Sequence, residues 1–220
     1  MSFLNLSASE RIRTFAGVFG LCLVFATPAA AAGTPAPPVV KNAALNPLGC
    51  VVSHALSNPF SAWNDRADYA LAPGGNFETA ASGWTLSRGA AITPGNQPFA
   101  IGITGGSSLR LPANSSATSA PMCIDSRYPH FRIFARNTGK LKSELKAEVL
   151  FLNAKGDIKS TASGTVVATS TAWSPTDSLK IGVTFNTAVA AGAAPVAFRF
   201  TSAKEADWQI DDLYVDPRMR

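Results

Sequence analysis

The stretch "LKSELKAEVLFLNAKGD", Leu141 to Asp157, decides the fold class. Leu141, Leu145, Ala147, Val149 and Phe151 share one parity, and Lys142, Glu144, Lys146 and Glu148 share the other. That period of two belongs to a strand with one buried and one wet face. Wound into a helix, the same residues would scatter around the axis, although Lys and Glu favour helices. "NAKGD" then supplies a turn.

The pattern repeats on both sides. In "PVAFRFTS" (Pro195 to Ser202), Val196, Phe198 and Phe200 alternate with Arg199 and Thr201. "HFRIFARN" (130–137) and "LKIGVTF" (179–185) behave alike, and "ASGWTLSRGAAITPG" and "GSSLRLPA" add strands bounded by turn residues. No amphipathic helix pattern follows the N-terminal region. Many short strands without βα alternation predict an all-β, antiparallel β-sandwich of jelly-roll type in a single domain.

Residues 1–32 have the parts of a secretory signal peptide. Arg11 and Arg13 precede the apolar "FAGVFGLCLVFA", which is too short to span a bilayer, and "PAAAAG" offers small-residue cleavage sites. An uncleaved anchor is the alternative. Ile12 separates the arginines, so there is no twin-arginine signature, and bulky Leu21 makes Cys22 a poor lipidation site. The Pro- and Ala-rich segment 33–47 reads as a flexible linker, leaving 48–220 as the β-sandwich domain. The expected product is extracellular, with no membrane attachment after signal cleavage.

Cleavage would remove Cys22 and leave Cys50 and Cys123 as an even pair in an oxidising compartment. A disulfide is expected, with two buried thiols as the alternative; neither cysteine has zinc-finger spacing. The chain has 19 Lys and Arg against 14 Asp and Glu. Losing Arg11, Arg13 and Glu10 would leave 17 against 13, a net charge of +4. No basic run is interleaved with aromatics, so no nucleic acid is expected as a partner.

The order of the motifs carries a resemblance. "GGNFE…GW", "SLRLP", "HFRIFARN", "KAEVLFLNAKG", "WSPTDSLKI", "VAFRF" and "WQIDDLYVD" resemble the galactose-binding-like jelly roll of carbohydrate-binding modules, over Ala70 to Asp216. Leu213 stands where that pattern usually has Val. More narrowly, "FSAWNDRADYALAPGGNFE", "MCIDSRYPHFR" and "WQIDDLYVDP" resemble a group of secreted proteins of Gram-positive soil bacteria.

The resemblance implies a structural calcium held by Glu78 and by Asp211 or Asp212. Calcium accepts six to eight oxygens in irregular geometry, and "PGGN" offers carbonyls. Which aspartate faces inward depends on whether Leu213 and Val215, or Ile210 and Tyr214, point to the core. The alternative is a pair of edge carboxylates beside Arg199 or Arg218.

Polysaccharide recognition requires aromatic faces with polar groups nearby. Trp63 and Tyr69 in "SAWNDRADY" and Trp173 in "TAWSPT" are the candidate ligand-binding residues, each with a packing role as the alternative. Trp84 is expected in the core, and Trp208 could be either. His54 and His130 are the available neutral-pH bases, and no G-x-S-x-G, H-E-x-x-H or phosphate loop occurs. The expected function is a secreted, non-catalytic module that binds a wall or environmental polysaccharide. The alternative is a structural or protein-interaction sandwich without sugar binding.

Overall fold

The computed structural model describes residues 54–79, 83–101, 105–125, 130–152, 157–182 and 193–216. The signal, the linker and Cys50 lie outside the described residues. Every strand pairing among those described is antiparallel, and the strands form the two facing sheets of a β-sandwich. A single 3₁₀ turn, Ser61–Trp63, is the helical element described.

The first sheet is centred on β14 (Trp208–Asp216) and β8 (His130–Asn137), which run side by side. On the far side of β14 lie β5 (Ser107–Leu111), followed outward by β4 (Ala91–Pro94), and β2 (Tyr69–Leu71), followed by β1 (Leu56–Ser57). Two short strands, β11 (Ser174–Pro175) and β12 (Leu179–Lys180), complete the far side of β8. The second sheet runs from β10 (Ile158–Val167) through β9 (Glu144–Leu152) to β13 (Ala193–Ser202). Beyond β13 lie β6 (Ser116–Thr118), with β3 (Thr85–Ser87) outside it, and β7 (Met122–Asp125).

The alternation read from the sequence sorts residues between the two faces. Leu145, Ala147 and Val149 of β9 and Val196, Phe198 and Phe200 of β13 meet Phe131 and Ile133 of β8 in the main core. Glu148, on the opposite face, pairs with Lys146 and Arg199, so Arg199 is engaged away from the aspartates. Leu141 departs from its expected inward position: it precedes β9, is 50% exposed, and the chain turns at Lys142 with φ of 65°. Trp84 and Trp208 both belong to the core.

The closing strand follows neither of the two expected parities. Trp208 and Ile210 face the core, and so do Leu213 and Val215. The break is a β-bulge: Asp211 lies opposite Phe134 and Tyr214 opposite Arg132, three steps on β14 against two on β8. Asp212 takes the extra place with φ of 47°. This conformation suits Asp better than most residues with a side chain. Both carboxylates therefore leave the main core for the outer face of the first sheet. The turn at 72–75 holds the bulge from the other side, Ala72 N–H donating to Leu213 O (2.8 Å) and Leu213 N–H to Gly75 O (3.1 Å). A side chain at Gly75 would meet Leu213 at 3.2 Å, which explains the glycine.

Candidate functional site

The outer face of the first sheet has its own small aromatic core. Phe60, Tyr69, Phe134 and Tyr214 are buried there, with Trp63, Leu71, Phe99 and Trp173 packed against them. Phe60 stacks on Phe134 at 5.3 Å and meets Tyr69 edge-on at 4.8 Å. Arg132 lies over the Phe60 ring and pairs with Asp65 at 2.9 Å. Tyr69 is 0% exposed, and its hydroxyl donates to Asp65 at 2.6 Å. Burial and that acceptor raise its pKa. This corrects Tyr69 as a ligand platform: the loop preceding β2 folds back and seals it. Trp63 is half-buried, edge-on to Phe99 and Phe134, so much of its ring is spent on packing.

Trp173 sits elsewhere on the same face. It precedes Ser174, which pairs with Ala135, and so falls level with Arg136. The Arg136 guanidinium lies over its ring at 5.2 Å. Arg136 also donates through Nε to Gln209 Oε1. Gln209 stands directly between Arg136 on β8 and Arg110 on β5. One level of the sheet thus presents Arg110, Gln209 and Arg136 in a row across three strands, with Trp173, just ahead of β11, against Arg136. Asp207 anchors its outer end, accepting from Arg110 Nε and Nη2 (3.3 and 2.6 Å). The polar members are not legible in the sequence, because nothing local marks an outward Arg or Gln as part of a row.

Arg136 also lines an open cleft of about 400 Å³ running under residues 165–177. Thr165, Thr169, Ser170 and Ser174 supply hydroxyls along it, and Asp177 a carboxylate. Asn137 and Trp208, opposite each other in the ladder, form its inner wall. Asn137 Oδ1 and Trp208 Nε1 are buried without a hydrogen-bond partner.

Asp211 and Asp212, two of the three expected metal residues, meet around Gln97. Its main-chain N–H donates to Asp211 Oδ2 and its Nε2 to Asp212 Oδ2, both at 3.1 Å. Asp212 N–H donates to Asp211 Oδ1 at 2.9 Å. The aspartates are 2% and 5% exposed. Burial first, then the neighbouring Asp212 charge, pushes the pKa of Asp211 up to about 8. Burial likewise pushes Asp212 up to about 6, against the Gln97 hydrogen bond. The order is physical: the first proton leaves with its neighbour neutral, and the second must leave beside a charge. Glu78 is near enough to raise both. Its own carboxylate accepts from Gly106 N–H with both oxygens (3.0 Å) and from Ser107 N–H (2.9 Å). A side chain at Gly105 would collide with it.

Among the described residues no group of three His, Cys, Asp or Glu is disposed to hold a metal ion. Calcium at Glu78, Asp211 and Asp212 would require those oxygens to exchange or share their N–H donors, and the Gly75 carbonyl is already used by Leu213.

No protein-family model matches the chain, and no curated protein does. Solved structures with a similar arrangement include the CBM22-1 and GH10 modules of a Clostridium thermocellum endo-1,4-beta-D-xylanase complexed with xylohexaose. That match has 15% identity, covers 66% of this chain and 28% of that one, and has a TM-score of 0.49. The CBM22-1 xylan-binding domain from Paenibacillus barcinonensis matches at 13% identity, over 66% of this chain and 94% of that one, with a TM-score of 0.47. TmCBM61 in complex with beta-1,4-galactotriose matches at 17%, over 66% and 96%, with a TM-score of 0.38. What those modules bind is a property of those modules.

Proposed function

We propose that this chain is a secreted, non-catalytic carbohydrate-binding module that holds a polysaccharide on the outer face of its first sheet. The observation that carries the reading is the row of Arg110, Gln209 and Arg136, with Trp173 against it, beside a hydroxyl-lined cleft. Planar guanidinium and amide groups hydrogen-bond adjacent hydroxyls in pairs, and an indole offers its face to sugar C–H groups. The acids that meet, Asp211 and Asp212, are buried beneath Gln97 rather than presented to a substrate, which supports a non-catalytic role. Secretion is supported by the N-terminal signal pattern and by Cys123, which is disulfide-bonded. Structural calcium, which the resemblance implied, would be held by Glu78, Asp211 and Asp212 only after their oxygens exchange or share the N–H donors they now accept.

The test is retention of the mature protein by insoluble wall and environmental polysaccharides and by a glycan array. Trp173→Ala should lose that retention while lowering the melting temperature less than Tyr69→Ala does. A wild-type protein that binds no glycan overturns the reading. The alternative, a protein-interaction or structural sandwich, is favoured by one observation: the chain's own Phe60, Trp63 and Phe99 cover much of the outer face.

A further inference from the structure

We infer that the ligand of this row carries a carboxylate, and that the module recognises a uronic-acid-containing polysaccharide through Arg136; the inference rests on the carbohydrate-binding reading above. Four arginines are described on strands of the sandwich. Arg110 is paired with Asp207, Arg132 with Asp65 and Arg199 with Glu148. Arg136 has no acidic partner among the described residues.

It is nevertheless held in place. The Nε bond to Gln209 fixes one edge of the guanidinium, whose carbon lies over the Trp173 ring at 5.2 Å from its centre. Half-buried and hydrogen-bonded, it has lost much of the freedom that a surface arginine must give up on binding. The two terminal nitrogens keep their N–H groups for a ligand, in the fork that matches a carboxylate. A preorganised cation that pairs with no acid among the described residues is suited to an external anion.

The cleft narrows the class. Its threonine and serine hydroxyls suit a hydroxyl-rich ligand, and its volume admits about one sugar unit. Asp177 lines the same cleft, so it would repel a second negative group and accept hydroxyls instead. One carboxylate among several hydroxyls is the chemistry of a uronate residue.

The experiment compares retention in affinity gels containing polygalacturonate, the same polymer after its carboxyl groups are reduced to alcohols, and dextran sulfate. Wild type should be retained by polygalacturonate and released by reduction, with retention falling as salt is raised. Arg136→Gln should weaken retention on the order of tenfold, and Arg136→Lys should recover part of it. Equal retention by native and reduced polymer overturns the acidic inference and leaves the carbohydrate reading standing. Stronger retention by dextran sulfate overturns the carboxylate assignment. Failure on all three gels with binding to a neutral glycan on the array overturns this inference alone, and failure on every glycan overturns both. If Arg136→Gln does not fold, the polymer comparison on wild type still decides.

Discussion

Gln97 donates its side-chain amide to Asp212 across 115 residues of sequence, at 3.1 Å, while its main-chain N–H holds Asp211. One residue of the 95–101 loop thereby caps both carboxylates of the β14 bulge. That contact places two acids where neither the main core nor solvent receives them, and it makes the loop sensitive to their charge.

Stability should fall as pH rises from about 4 to 8. Both aspartates have pKa values above the ordinary 3.8, at about 8 and about 6. In that window the folded state keeps protons that the unfolded chain has released, so each step upward in pH favours unfolding. Asp212→Asn removes one charge, keeps an oxygen for Gln97, and suits the positive φ. Its melting temperature should exceed that of wild type at pH 8, with a gain on the order of 2 kcal/mol from the displaced Asp212 pKa. Parallel melting curves for the two proteins across pH 4–8 would refute this.

Calcium should relieve the same repulsion. Adding millimolar calcium at pH 8 should raise the wild-type melting temperature, by about 2.7 kcal/mol in stability at 100 times the dissociation constant. Chelator should reverse the gain, and Asp211→Asn/Asp212→Asn should not respond. Identical wild-type melts with calcium and with chelator would leave a proton-sharing pair and no metal.

The aromatic residues should divide by role. Tyr69→Ala empties a fully buried place against Phe60 and should cost about 3–5 kcal/mol. Trp63→Ala should also destabilise, since its ring packs on Phe99 and Phe134. Trp173→Ala should lower stability less than Tyr69→Ala and glycan retention far more. Thermal melts paired with affinity gels separate these outcomes, and a Trp173→Ala protein that melts far below wild type would place that ring in the core.

Cys50 and Cys123 should be joined. Cys123 is disulfide-bonded, and His54, four residues beyond Cys50, has its Nε2 at 3.0 Å from Cys123 O. This contact brings His54 alongside β7. Peptide mapping without reduction should recover the Cys50–Cys123 linkage, and reduction should destabilise the protein by about 4 kcal/mol for a loop of about 70 residues. Recovery of Cys50 as a free thiol in folded protein would exclude this pairing.

Much of the sandwich was legible in the chain, because side-chain alternation is a local property of a strand. Val196, Phe198 and Phe200 had to share a face wherever their strand was placed, and they line the core together. Leu141 was misjudged because the same parity continued past the point where the backbone turns at Lys142. Trp173 was recognisable as an aromatic in a polar loop, but Tyr69 had the same local appearance and is buried. What separates them is which distant segment covers each ring.

By itself, the sequence determined the fold class and the inward faces of β9 and β13. Only the tertiary structure decided that a bulge at Asp212 turns both acids outward, that Gln97 caps them, and that Arg110, Gln209 and Arg136 stand at one level with Trp173 against Arg136. Each of these depends on the register between strands far apart in the chain. A shift of one residue in that register would move every side chain of a strand to its opposite face, and no local pattern specifies how distant strands align.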